Sequence, residues 1–154
     1  MRPLVMTALI LLVPLAANRT NDGEVRLQFL PPEQREANTA PAKGPAGQDA
    51  VNVTGGSTTS RTTIAVLENP PISTDRYVVR GRVKYEQVAG DGYLELFNEF
   101  GPQRTYFTRS LAPWGKMRKL TGNSNWRDFE LPFYAEAGMR PQRLTLNVVL
   151  PGAG

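Results

Sequence analysis

Polar and apolar residues alternate with a period of two along most of the second half of this chain. Residues 77–85 read YVVRGRVKY, with Tyr77, Val79, Gly81, Val83 and Tyr85 on one face and Val78, Arg80, Arg82 and Lys84 on the other. Residues 93–98 carry Leu94 and Leu96 as an apolar pair. Residues 126–133 set Phe129, Leu131 and Phe133 together, and residues 144–150 form the stripe Leu144, Leu146, Val148, Leu150. A period of two is the mark of a strand with one buried and one wet face. Residues 62–67 (TTIAVL) and 105–111 add two more strands, and residues 24–30 and 50–53 give shorter signals. Between the runs stand Pro31-Pro32, Gly55-Gly56, Asn69-Pro70-Pro71, Gly90-Asp91-Gly92 and Gly138 to Pro141, all turn formers. Gly90-Asp91-Gly92 reads as the tight turn of a hairpin joining residues 77–85 to residues 93–98. Outside the N-terminal apolar run, no window holds apolar residues at helical spacing.

About seven short strands with turn signals between them predict an all-β fold, an antiparallel β-sandwich. Its expected interior is Val79, Val83, Leu94, Leu96, Phe107, Phe129, Leu131, Phe133, Leu144, Leu146 and Val148. Residues 18–154 form a single domain in this reading. Residues 33–60, poor in large apolar side chains, are its flexible surface loop. The chain ends on Pro151-Gly-Ala-Gly, which reads as a hairpin turn with no strand after it. The expected fold therefore lacks its final strand. An open sheet position beside residues 144–150 would then invite self-association through that edge.

Three stretches carry a resemblance: YVVRGRVKYEQV leading to YLELF, NWRDFELPF, and PQRLTLNVVLPGAG. Over residues 24–154 the chain resembles the galactose-binding-like jelly-roll domains, the architecture of many carbohydrate-binding modules. It is also similar to uncharacterised exported bacterial proteins. The resemblance implies a jelly-roll sandwich, and a choice between sugar binding and a structural or protein-interaction role with no sugar site.

Composition narrows the chemistry. The chain has no cysteine and no histidine. Thiolate catalysis, disulfides and every Ser-His or Cys-His dyad are therefore excluded. The net charge is +4, and the basic residues are scattered on strands rather than gathered in a tract. No nucleic-acid footprint follows from that. Residues 1–17 (MRPLVMTALILLVPLAA) have the layout of a signal peptide or an N-terminal anchor. They predict an exported protein of periplasm, envelope or cell exterior, touching membrane only through this segment or through a missing C-terminal one. As a leader, the segment should make no core contact. Asn18 and Asn52 begin glycosylation sequons, which matter only in a eukaryotic secretory route.

The wet face of the expected central hairpin is the natural ligand surface. Arg80, Arg82 and Lys84 would project from one strand and Tyr93, Glu95 and Phe97 from its neighbour. Tyr106 and Asn147 would join them if their strands lie in the same sheet. Sugar recognition needs aromatic rings for C–H faces and planar polar groups for hydroxyls, and this set supplies both. The plainer reading is cross-strand ion pairing. Trp114, in a loop with Pro113 and Gly115, either caps a binding cleft or plugs the end of the sandwich. Trp126 is expected to be buried. Asp128 and Glu130 share a strand face about 7 Å apart, and no catalytic pair is read from them. Asp22 and Glu24 lack the Asp-rich loop a calcium site needs. No cofactor or metal is implied, and the expected protein is not an enzyme.

Overall fold

The structure, a computed structural model, describes residues 7–11 and 27–152. It is an antiparallel β-sandwich with eight strands among the described residues: β1 (Thr7–Leu11), β2 (Thr39–Lys43), β3 (Asp49–Thr54), β4 (Ser60–Glu68), β5 (Arg76–Glu99), β6 (Thr105–Arg109), β7 (Leu120–Tyr134) and β8 (Arg143–Leu150). A single 3-10 turn, Pro32–Gln34, precedes β2. The first sheet runs β2-β3-β1-β5-β7 and the second β4-β8-β5-β6.

β5 belongs to both sheets, and this corrects the hairpin expected at Gly90-Asp91-Gly92. Its first half pairs with β1 and β7, and residues 93–99 pair with β8 and β6. The glycines do not reverse the chain; they bend one strand of 24 residues from sheet to sheet. Gly90 takes φ 107° and Gln87 φ 57°, and the register against β7 shifts three times between Val83 and Gly92. Each shift inserts residues into one strand, which adds local twist. The inward set changes phase on the way, from Val79, Val83 and Tyr85 to Val88, Leu94 and Leu96. Side chains fix the bend. Lys119 Nζ lies 2.8 Å from Asp91 Oδ1, and the Thr121 hydroxyl donates to the Gly90 carbonyl and to Asp91. The hydrogen bonds from Lys119 and Thr121 hold the Asp91 carboxyl below its ordinary pKa.

Gly92 has the least room. A Cβ there would stand 3.1 Å from the Val149 carbonyl and 3.2 Å from that of Leu120. Backbone on both sides cannot yield together. Gly92→Ala should therefore lower stability by about 1–3 kcal/mol, the usual cost of overpacking. Chemical denaturation measures it, and an unchanged midpoint would show that β5 does not pass between β7 and β8 at this point.

The interior forms where the inward stripes meet. Ile10, Val51, Val53, Ile64, Val83, Tyr85, Leu94, Leu96, Leu120, Phe129, Leu131, Leu146, Val148 and Leu150 are almost wholly buried. Two expected core members are not among the buried residues. Phe107 is 54% exposed and Phe133 is half-buried. Trp126 is half-buried as well. The buried polar residue Asn98 is satisfied: the Tyr77 hydroxyl donates to its Oδ1 at 2.7 Å, and its amide donates to the Leu96 and Tyr106 carbonyls. Burial pushes the Tyr77 phenol far above its ordinary pKa.

Three further expectations change. Residues 33–60 are not one loop. β2 and β3 form a hairpin there, turning at Gly47 with φ 81°, and Asn52 lies half-buried in β3. Small residues suffice because Ala50, Val51 and Val53 meet β1 and the core. β8 is central in the second sheet, paired with β4 on one side and β5 on the other, so no vacant position lies beside it. After it the chain does not reverse at Pro151. It runs against residues 57–58, where a Cβ on Gly152 would meet the Ser57 carbonyl at 2.5 Å. Finally, residues 1–17 were expected to make no core contact, yet Thr7–Leu11 lies as β1 between β3 and β5 with Ala8 and Ile10 fully buried. An apolar run that suits a leader also suits a central strand covered on both flanks. Of the expected strand 24–30, residues 24–26 lie outside the described residues, as do Asn18, Asp22 and Glu24. Its remainder makes one isolated bridge, Phe29 to Ala65.

Candidate functional site

The phase change in β5 decides which side chains meet. Arg80, Arg82 and Lys84 face outward from the first sheet. Tyr93, Glu95 and Phe97 face outward from the second. A hairpin would have set these two trios side by side; the bent strand separates them. On the first sheet the charges are matched across strands: Arg80 with Glu130 and Arg82 with Asp128, each at 3.5 Å, and Lys116 with Glu130 at 2.7 Å. Lys84 reaches Glu86 along its own strand at 3.5 Å. Each of these charges has a partner, the outcome cross-strand pairing predicts, with Glu130 shared between Arg80 and Lys116. Asp128 and Glu130 are occupied in the same pairs.

The second sheet presents a different surface. The register sets Glu95 beside Asn147 on β8 and Arg109 on β6, and Asn147 beside Thr63 on β4. One step along, Phe97 stands between Thr145 and Phe107; one step back, Tyr93 stands beside Val149, which is opposite Arg61. Glu95 is fully buried at the centre of this grid. Its carboxylate accepts from Arg61 Nε at 2.7 Å on Oε1 and from Arg109 Nε at 2.7 Å on Oε2. Asn147 Nδ2 donates to Oε1 at 3.3 Å, and the Thr63 hydroxyl donates to Asn147 Oδ1 at 2.8 Å. A carboxylate without water is costly unless its lone pairs are filled, and two charge-assisted bonds plus an amide fill them.

The guanidiniums also lie against rings. Arg109 stands 4.0 Å from the Phe107 centroid and 5.4 Å from that of Tyr93, and Arg61 stands 5.5 Å from that of Phe97. Both arginines stay partly open, with side chains 49% (Arg61) and 31% (Arg109) exposed. At the far end of the same face the charge order inverts: Arg143 lies between Glu68 at 3.1 Å and Glu99 at 3.6 Å. A shallow cleft of about 340 Å³ borders that end, lined by residues of the 28–34 segment with Val66, Glu68 and Arg143.

Four of the residues expected from sequence, Tyr93, Glu95, Phe97 and Asn147, are thus brought together. Arg80 and Arg82 are on the other sheet. Tyr106 points to the other side of β6, where it packs on Phe100 and Phe133 at 6.0 and 6.2 Å between centroids and stays 46% exposed. Trp114 does not plug the sandwich; it stands 77% exposed in the loop after β6, outside the cluster. Arg61, Arg109 and Phe107 were missed. Arg109 follows Phe107 by two residues and so shares its face, and a charged residue on that face marks it as the wet one.

Comparison of this chain with family models, with curated proteins and with solved structures finds no match in any of the three.

Proposed function

We propose that the protein is a non-catalytic binding module that takes carbohydrate on the outer face of its second sheet. The observation that carries this reading is the side-by-side placement of Tyr93, Phe97 and the exposed Phe107 with the fixed guanidiniums of Arg61 and Arg109. Rings offer flat apolar area to the C–H side of a sugar, and oriented donors fix its oxygens. The resemblance to galactose-binding-like jelly rolls agrees with this. The opposite sheet, where Arg80, Arg82, Lys84, Asp128 and Glu130 are all engaged in ion pairs, has the character of a structural surface. A non-catalytic role is supported by the carboxylates: Glu95 is sealed under two arginines, and Asp128 and Glu130 are paired.

The apolar run at residues 1–17 supports an exported protein, for which N-terminal sequencing of native material is the test. A chain beginning after Ala17 would lack β1. The proposed site takes no residue from that strand, because β1 belongs to the first sheet alone.

A glycan array on the folded chain, followed by titration of the best ligand, tests the function. Phe107→Ala and Tyr93→Ala should each weaken binding by about tenfold or more, roughly 1.4 kcal/mol, and Arg82→Gln on the opposite sheet should leave it unchanged. Equal binding by all three variants, or no glycan bound at all, would favour a structural or protein-interaction role instead.

A further inference from the structure

We infer that the ligand of this face is an acidic sugar, a glycan bearing a carboxylate, which seats between Arg61 and Arg109. The inference rests on the carbohydrate reading above and adds the chemical class of the ligand. It follows from a count of donors and acceptors. A neutral sugar presents hydroxyls, which donate as well as accept, and its site needs acceptors in return. Here the carboxylate and amide acceptors are consumed, which leaves hydroxyls such as those of Tyr93 and Thr145, groups that donate as well as accept. Glu95 is fully buried, with Oε1 and Oε2 both taken by arginine Nε atoms, and Asn147 Oδ1 is taken by Thr63. Donors remain. Among the described residues, the η nitrogens of Arg61 and Arg109 have no hydrogen-bond partner. A surface rich in donors and poor in acceptors selects a group that only accepts, which is an anion.

Charge points the same way. Within the grid from Tyr93 to Phe97 the charged groups are Arg61, Glu95 and Arg109, which leave one positive charge. Of the neighbouring charges, Asp91 is matched by Lys119, and Glu68, Arg143 and Glu99 sit at the opposite end of the face; Glu36 keeps its negative charge at the sheet edge, on the Thr63 backbone N–H, and offsets part of the excess there. The opposite end is net negative, so a carboxylate seats at the arginine pair rather than there. Glu95 also holds each guanidinium by its Nε, so less side-chain freedom is lost when a ligand docks.

The test titrates the whole chain with oligogalacturonate and with the same oligomer after reduction of its carboxyls to alcohols. The acidic oligomer should bind about tenfold or more tighter. Its advantage should shrink as salt rises from about 0.02 M to about 0.5 M, where exposed charges are screened. Arg61→Gln should remove most of the advantage, measured at a temperature where it is fully folded because Glu95 loses one of its two arginine donors, and Arg80→Gln should remove none. Equal affinity for both oligomers would overturn the acidic assignment and leave sugar binding intact. If neither oligomer binds, the acidic assignment falls, and the glycan array decides the carbohydrate reading separately. Equal binding of polyglutamate would show a general anion surface and would also overturn the assignment.

Discussion

Replacing Arg61 and Arg109 together by leucine should destabilise the fold by about 3–5 kcal/mol, the usual cost of leaving a buried charge without its partners. Glu95 has no exposed surface and cannot turn to water. With both Nε donors gone, Asn147 at 3.3 Å is its one remaining side-chain donor in the cluster. The reverse deletion should be milder. Glu95→Gln frees two arginines whose side chains are already 49% and 31% exposed and can reach solvent. Its expected cost is about 1.5–3 kcal/mol, in the range of lost hydrogen bonds to charged groups. Adding Glu95→Leu to the double arginine variant should then restore most of the loss, since a buried ion cluster replaced whole by apolar groups is often neutral or better. Urea denaturation of the four proteins gives the order. A double variant within about 1 kcal/mol of the parent, the ordinary range of a surface pair, would show that Glu95 is not sealed in the sheet.

This asymmetry bears on function. A carboxylate that the fold must neutralise fixes two guanidiniums, and the fixed guanidiniums then become the binding surface. Stability and recognition draw on the same three side chains.

The fold class was legible because period-two stripes mark the long strands, even though β5 changes phase at its bend, and the inward stripes of β7 and β8 are as expected down to Leu131 and Val148. What escaped was local. One continuous strand was taken for a hairpin because Gly90-Asp91-Gly92 has the composition of a turn. The choice between bend and reversal lies in the flanking pairing of β1, β6, β7 and β8, which is tertiary. That single misreading moved Arg80 and Arg82 onto the candidate face. The site was half legible: Tyr93, Glu95, Phe97 and Asn147 were singled out, but Arg61 and Arg109 reach Glu95 from strands whose neighbours no local pattern fixes. β1 was hidden for another reason. A leader and a central strand make the same demand, an apolar run without charges, and the pattern cannot separate them.

Phe129 and Phe107 put the assignment of faces to its sharpest test, because the sequence treats them alike. Each lies in an alternating strand, and each was placed in the core. In the fold Phe129 is 1% exposed, opposite Gly81 on β5, with Leu131 next along the same stripe. Gly81 has no side chain of its own to set there, so the ring covers that gap in the inner face. Phe129→Ala should open a cavity and cost about 3–5 kcal/mol, as for large aromatic truncations in cores. Phe107 pairs with Phe97 on the outer face and is 54% exposed, with the Arg109 guanidinium over its ring. Phe107→Ala gives up that contact and little else, so its expected cost is about 0.5–1 kcal/mol. The difference of several-fold in stability loss, read from paired denaturation curves, follows from a phase of one residue in β6. If Phe107→Ala proved as damaging as Phe129→Ala, β6 would be turned over, Tyr106 and Thr108 would form the wet face, and the arginine-lined site would lose its aromatic platform.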